Sequence, residues 1–227
     1  MRHFAAEARV AEISGCDIDS ASIEWAQENL SPPFEFFACG ETPPLPRPDK
    51  AFDLIWALSV FTHIGEAWSA WLIELDRLLD DDGLVLATII GPSYASEVTG
   101  EAWDEDRIGV NVLRHWQGWE RGGPTVLHSE WWIRAHWGRV FEIVEIEGPA
   151  ANQGQLRWVL MLKRPADPPT QEELEAIETG EPREFEALRH NLRQLQAELD
   201  MIVPYSPWRF ATPLAAVRRA LGQGRRG

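Results

Sequence analysis

The sequence predicts an α/β fold in which helices pack on a mostly parallel sheet, and three observations support this prediction. Short apolar runs alternate with segments of helical spacing through the N-terminal part of the chain. The run at 52–58 is almost unbroken, as expected of a strand that is covered on both faces. Asp17 stands at the carboxyl tip of a predicted strand, just before a helix start, where such sheets place ligand-binding residues. Alternation of this kind produces parallel strands with right-handed crossovers.

The predicted elements follow one another at short intervals. Pro32 and Pro33 end the second helix, and Gly83 is expected to cap the third helix at its C-terminus. Residues 91–127 are polar and irregular and interrupt the pattern. In chain order we predict helix 1–8, strand 11–16, helix 20–30, strand 34–38, strand 52–58, helix 66–79, strand 83–90, helix 129–137, and strands 141–147 and 156–163, which pair as a β-hairpin about the loop 148–154.

The C-terminal part begins after a proline-rich linker, at a predicted capping box formed by Thr170 and Glu173. Apolar residues then recur at spacings of three and four over about two and a half heptads, too few for an isolated coiled coil: Phe185, Leu188, Leu192, Leu195, Leu199 and Ile202. Two interpretations stay open, a helix packed on its own domain and a helix that pairs in a homodimer. The predicted organisation is a domain at 1–164, a linker and amphipathic helix at 165–203, and a basic tail at 204–227.

Composition restricts the partners and the compartment. The 227 residues carry a formal net charge of -15, which argues against non-specific binding to nucleic acid. No apolar run approaches the length of a membrane span, and the start lacks the apolar core of a signal peptide. Cys16 and Cys39 fall on predicted buried strands, as in a reducing cytoplasm, so we expect a cytoplasmic protein. The tail carries five Arg and no acid after Met201, which suits peripheral contact with an anionic membrane or an ordinary solvated terminus.

Three stretches carry a resemblance to a known family. They are Ile-Ser-Gly-Cys-Asp-Ile-Asp at 13–19, the apolar strand with its following Ser-Val-Phe-Thr-His-Ile at 52–64, and Leu-Leu-Asp-Asp-Asp-Gly-Leu-Val-Leu-Ala-Thr at 78–88. In this order, and with the terminal hairpin, they resemble the class I S-adenosylmethionine-dependent methyltransferases of the type 11/12 kind, over about residues 1–164. The resemblance implies a Rossmann-like methyltransferase sheet with a terminal antiparallel hairpin, followed here by the C-terminal helix.

The resemblance also implies a cofactor, S-adenosyl-L-methionine, and residues that bind it. Asp17 matches the acid that holds the ribose, and the loop after the next strand replaces the family's adenine-binding Asp with Gly40 and Glu41. Ile18 and Ser59 complete the implied cofactor-binding set. The family's first strand and Gly-rich loop are missing before Met1, so we expect an N-terminally incomplete domain whose Met1 is internal to a longer reading frame. Its neighbouring strands then pair directly or leave open edges.

Two histidines are candidate catalytic residues. His63 follows the 52–58 strand at a helix start and faces the crevice where such sheets hold ligands, although a capping or packing role is the plainer interpretation. His128 precedes the 129–137 helix on the expected acceptor side, where it could serve as a base. No residues show metal-ligand spacing, so no metal is expected. Six Trp lie in the segment 103–137, either as a lid that stacks on an acceptor or as core.

The expected function is methyl transfer to a small-molecule or glycan acceptor. Residues 206–214 resemble a C-terminal string of bacterial enzymes of surface polysaccharide assembly, which favours a sugar hydroxyl as the acceptor. Two alternatives remain. One is a non-catalytic methyltransferase-like protein that uses its helix and tail for assembly. The other is half of a nicotinamide-dependent oxidoreductase, which the terminal hairpin and the lack of a second repeat disfavour.

Overall fold

A computed structural model describes residues 1–148 and 156–202, so the predicted hairpin turn and the basic tail lie outside the described residues. The strands are β1 Ser14–Asp17, β2 Glu35–Ala38, β3 Phe52–Ala57, β4 Leu79–Ile90, β5 Val110–Leu113, β6 Thr125–His128, β7 Phe141–Glu147 and β8 Leu156–Lys163. The helices are α1 Ser20–Leu30, α2 Trp68–Leu78, α3 Pro92–Thr99, α4 Glu130–His136, α5 Gln171–Glu175 and α6 Arg183–Ile202.

The strands form three sheets. β1 and β2 make a parallel pair, and β5 and β6 make an antiparallel pair. The largest sheet has the order β3-β4-β8-β7, in which β3 and β4 are parallel, β8 is antiparallel to β4 and β7 is antiparallel to β8, which confirms the predicted terminal hairpin. Within the described residues no strand lies between β1 and β3, so each of them keeps one free edge. Of the two predicted alternatives, open edges are therefore observed, and β1 and β3 do not pair directly.

One face of the four-stranded sheet holds the main core. Val85 of β4 and its cross-strand neighbour Met161 are fully buried, and Leu72 of α2 and Ile133 of α4 join the same cluster. The opposite face is open, since Leu54 is 56% and Trp56 is 45% exposed. The expectation that the 52–58 strand is covered on both faces is therefore wrong. An unbroken apolar run shows that a strand forms, but the elements that pack on each face are set elsewhere in the chain.

Two local predictions are also corrected. Residues 1–8 do not form one helix but two separate 3-10 turns, Arg2–Phe4 and Glu7–Arg9. Gly83 is not a helix cap, because α2 ends at Leu78 and Gly83 lies inside β4. A Cβ added at Gly83 would lie 2.9 Å from the carbonyl oxygen of Asp80, so the missing side chain permits a close approach of the backbone.

The segment 91–127 is more ordered than predicted. It contains α3 and the β5–β6 pair, in which Asn111 lies opposite Leu127. The amide of Val126 donates to the carbonyl of Thr62 at 2.8 Å, which attaches this pair to the segment that follows β3. Each of the two strands is only four residues long, so neither shows a clear alternation of its own.

Cys16 and Cys39 do not lie where the sequence suggested. Cys16 is on β1 but exposed, and Cys39 follows the end of β2 and is half-buried. Both are free thiols. The expectation that both are buried on strands is therefore wrong, because β1 is an edge strand over its whole length and its outer side meets little else.

The C-terminal helices pack back on the domain. The predicted capping box of Thr170 and Glu173 is present at the start of α5, and Leu174 is fully buried. The long helix α6 meets β5 through Asn191 and Gln194, and Ala187 packs beside Gly109 just before β5, so the apolar stripe does not make these contacts. Of the helices in the described part of the chain, α6 included, none is long and apolar enough to span a membrane.

Candidate functional site

Asp17 lies at the carboxyl end of β1 with its side chain exposed. Its Oδ1 accepts a hydrogen bond from the backbone N–H of Asp19 at 2.9 Å, which fixes the turn into α1. Asp19 in turn caps that helix, and its bond from the Ser22 hydroxyl holds the pKa of the Asp19 carboxyl below its usual value. No residue that the structure describes donates to Oδ2 of Asp17. The site therefore offers an oriented carboxylate with an oxygen available for a hydroxyl group.

The loop after β2 begins directly beside this carboxylate. The amide of Cys39 donates to the carbonyl of Asp17 at 3.0 Å, so Gly40 and Glu41 follow at the same edge of the small sheet. The indole Nε1 of Trp71 donates to the carbonyl of Glu41 at 3.0 Å and anchors the loop on α2. Four of the implied cofactor-binding residues, Asp17, Ile18, Gly40 and Glu41, therefore lie at the same end of the small sheet. Ile18 is half-buried there.

Ser59 follows β3 and has a left-handed backbone, with φ of 55°. Its N–H donates to the Thr88 hydroxyl at 2.8 Å, and Thr88 is fully buried on β4. A non-glycine residue with positive φ at a strand end is uncommon, and such strained positions cluster at functional sites. Ser59 belongs to the other sheet, and no hydrogen bond within the described residues connects it to Asp17.

His63 lies one turn beyond Ser59. Its Nδ1 is 2.8 Å from the carbonyl oxygen of Pro124, which can only accept, so Nδ1 carries the proton and donates. In the neutral ring Nε2 then holds the free lone pair and can accept a proton. The ring of Trp119 approaches edge-on, with 6.0 Å between the two ring centroids. This arrangement fixes the tautomer and the orientation of the imidazole.

His128 does not share that environment. It is 2% exposed, and neither ring nitrogen has a hydrogen-bond partner among the described residues. Its ring is packed against Trp132 and Trp137, with centroids 5.7 and 5.4 Å away, and this burial lowers the pKa of His128 to about 3. A ring enclosed in this way does not reach an acceptor, so the structure does not support the predicted role of His128 as a base.

The six Trp of 103–137 do not form a lid. Trp131, Trp132 and Trp137 are buried in the core, whereas Trp116 is exposed. Trp119 alone accompanies His63, and it packs so closely on Gly123 that a Cβ there would lie 2.8 Å from its ring. Sequence reasoning did not single out Trp119 for this position. Nor did it find Thr88, whose only signal is a hydroxyl within the otherwise apolar run 84–90.

Comparison with known proteins adds to this geometry. Residues 1–87 match a family model described as a methyltransferase domain. A solved Pyrococcus horikoshii protein is 15% identical over 72% of this chain and 76% of its own, with a TM-score of 0.51. A SAM-dependent methyltransferase from Methanosarcina mazei is 17% identical over 71% of this chain and 86% of its own, with a TM-score of 0.50. No curated protein matches the sequence significantly.

The family match and the site coincide. The matched residues include Asp17, Gly40, Ser59 and His63, and the two solved structures share the fold of the described chain. The exposed carboxylate of Asp17 fits the ribose of a nucleoside cofactor, because its Oδ2 can accept from a hydroxyl. Residues 1–87 thus resemble a methyltransferase domain, and the described chain shares its fold with a SAM-dependent methyltransferase.

Proposed function

We propose that the protein transfers a methyl group to a hydroxyl of a small-molecule or glycan acceptor. The observation that carries this proposal is the orientation of His63, whose Nδ1 is held by the Pro124 carbonyl while Nε2 stays available. S-adenosyl-L-methionine, when bound, supplies an already activated methyl group on a sulfonium. The protein therefore needs to align the reacting groups, exclude water and remove one proton.

The cofactor end of the site is built from the strand tips. Asp17 accepts hydrogen bonds from the ribose hydroxyls through Oδ2, with Ile18 beside it. Gly40 and Glu41 line the adenine side, in a loop that the Trp71 bond holds in place. Ser59, with its left-handed backbone after the carboxyl end of β3, also contributes to cofactor binding. These assignments rest on exposure, hydrogen bonding and position at the carboxyl ends of parallel strands.

The acceptor end is built around His63. Its Nε2 takes the proton of the acceptor hydroxyl, and the bond from Nδ1 to Pro124 keeps the ring in the required tautomer. The adjacent indole of Trp119 offers a flat surface of the kind that packs on a sugar ring. The string at 206–214 supports a sugar of a surface polysaccharide as the acceptor, and it lies outside the described residues.

A second candidate is a non-catalytic assembly protein. The free edges of β1 and β3 and the exposed stripe of α6 favour it, since all three are surfaces that another chain could use. The two candidates differ in whether the site binds the cofactor.

Calorimetric titration with S-adenosylhomocysteine separates them. We expect the chain to bind this product, and Asp17→Asn to weaken binding by about 10- to 100-fold, because a hydrogen bond to a charged group contributes about 1.5–3 kcal/mol. Asp53→Asn is the matched control, since Asp53 is also exposed and lies at the other end of β3 from Ser59. A folded chain that does not bind would support the assembly protein instead.

A second measurement follows formation of S-adenosylhomocysteine with a panel of sugar acceptors. His63→Gln is expected to lower kcat by about 10²- to 10⁴-fold, because the general base is lost. His115→Gln serves as the control, as His115 is exposed and follows β5 rather than β3. Equal rates for the wild type and His63→Gln would contradict the assigned base while leaving cofactor binding intact.

A further inference from the structure

The helix α6 uses its polar side to hold the domain. The Asn191 amide Nδ2 donates to the carbonyl of Val110 at 2.7 Å, and Asn111 donates to Gln194 at 2.6 Å. Glu184, at the start of the helix, is buried against the Nε2 of His136 at 3.2 Å. These contacts use the side of the helix that carries residues 184, 187, 191 and 194.

The apolar stripe of α6 lies on the adjacent side of the helix and stays partly exposed in the described part of the chain. The exposed fractions are 56% for Phe185, 43% for Leu188, 66% for Leu192, 38% for Leu195 and 59% for Leu199. Exposed apolar residues scattered singly are normal, but a contiguous row of five is typical of an interaction site.

The spacing of this stripe defines the kind of partner. The steps of three, four, three and four residues place Phe185, Leu192 and Leu199 at a positions of a heptad and Leu188 and Leu195 at d positions. This pattern is complementary to a second helix with the same pattern. The stripe extends over about 21 Å of helix at 1.5 Å per residue.

We propose that this stripe is a homodimer interface, in which α6 of one copy packs antiparallel against α6 of a second copy. Each layer then combines an a residue with a d residue, such as Leu192 with Leu195 of the second copy and Leu188 with Leu199 of the second copy. Because α6 is already folded and anchored on its domain, association orders less chain than the pairing of isolated peptides requires.

The flanking side chains favour a second copy in this orientation. A parallel pair would require Glu184 beside Arg189 of the second copy, but Glu184 is already buried on His136. An antiparallel pair places Arg189 opposite Gln196 of the second copy and leaves Glu184 and Asn191 on their own domain. An amide then meets a charged group, and like charges do not face each other along the stripe.

The interface is connected to the candidate site through β5. The same strand that receives Asn191 presents Val112, whose Cγ1 would lie 3.3 Å from a Cβ added at Gly65, two residues after His63. Dimerisation through α6 would therefore stabilise β5, the strand that packs close to His63. The proposal does not depend on the proposed methyl transfer.

Sedimentation equilibrium of the full chain over a wide concentration range tests the proposal. We expect a monomer–dimer equilibrium, and Leu192→Glu should weaken the dimer by at least about 100-fold, because each dimer would bury two carboxylates without partners. Ala197→Glu is the matched control, since it places the same charge on the exposed outer side of α6. Circular dichroism verifies that both variants remain folded.

Cysteine cross-linking tests the orientation. A mixture of Leu188→Cys and Leu199→Cys chains should form the mixed disulfide, identified by peptide mass so that Cys16 and Cys39 are accounted for. Disulfides between two Leu188→Cys chains would indicate a parallel pair and contradict the orientation. A chain that stays monomeric over the whole concentration range would overturn the proposal. A dimer that persists in Leu192→Glu would also overturn the proposal, and the exposed face of β3 would then be the next candidate for the interface.

Discussion

The helices α2 and α6 carry similar apolar stripes and use them in opposite ways. In α2, Leu72, Leu75 and Leu78 are all buried in the core under the four-stranded sheet. In α6, Leu192 and Leu199 are largely exposed, and polar residues make the contacts with the domain. The apolar spacing of a helix therefore predicts that it has an apolar side, but the neighbouring elements of the fold decide what packs on that side.

Chain topology explains the difference. α2 connects the parallel strands β3 and β4, and a crossover helix must lie on the sheet that it connects. α6 follows the last strand of the sheet, after the core face has been covered by α2 and α4. The groups of β5 that α6 contacts are polar. They are the backbone carbonyl of Val110 and the buried side-chain amide of Asn111.

The largest expected difference comes from replacing one leucine by alanine in α2 and one in α6. Leu72→Ala should lower the free energy of unfolding by about 2–5 kcal/mol, since the side chain is fully buried and leaves a cavity. Leu192→Ala should change it by no more than about 0.5 kcal/mol when measured at concentrations where the chain is monomeric. Urea unfolding at low protein concentration makes the comparison. Similar losses for both variants would show that the stripe of α6 is buried within the monomer.

The histidines of the two regions should differ in their effect on acid stability. His128 lies in the core, where burial lowers its pKa from 6.5 to about 3. The unfolded chain therefore binds a proton below pH 6.5 that the folded chain does not, so stability is lost as the pH falls from 6.5 towards 3. At pH 5 this loss amounts to about 2 kcal/mol.

Urea unfolding at pH 7 and pH 5 measures this contribution. His128→Leu should remove about 2 kcal/mol of the acid-dependent loss. His190→Leu is the matched control on α6, where burial and Arg107 lower the pKa of His190 but the ring is half-exposed, and it should remove less. An unchanged pH dependence in His128→Leu would mean that the ring is accessible to water.

The smallest effect should come from the polar contacts of α6. Asn191→Ala removes the donor to the Val110 carbonyl and should cost about 1 kcal/mol, the usual net contribution of such a hydrogen bond. Gln196→Ala, on an exposed part of the same helix, should be neutral. Thermal unfolding detects the first change as a decrease of about 2–4 °C in Tm. No difference between the two variants would mean that α6 is held by other contacts.

Local signals predicted those parts of the fold that local chemistry determines. The helix at 20–30 has the predicted bounds, because Asp19 caps its start and Pro32 follows its end. The strands of the terminal hairpin also have their predicted bounds, since β8 contains a long apolar run and β7 is rich in Ile, Val and Phe. The β5–β6 pair was missed because its strands are stabilised by each other and not by their own pattern.

The candidate site shows the same division. The position of Asp17 could be predicted because it ends a strand and lies just before a capped helix. The left-handed backbone of Ser59 depends on Thr88, which is 29 residues away, and the tautomer of His63 depends on Pro124, which is 61 residues away. Neither partner is visible in a local pattern. His128 was misjudged for the same reason, since its burial depends on Trp132 and Trp137.

The sequence by itself determined the alternation of strands and helices, the acid at the tip of β1 and the heptad spacing of α6. These features depend on residues a few positions apart, where backbone preferences and side-chain periodicity act. Only the tertiary structure decided which side of each amphipathic element is covered, which histidine is accessible, and that β1 and β3 keep free edges. Those outcomes depend on contacts between residues far apart in the chain, whose energies are set by burial and by the available hydrogen-bond partners.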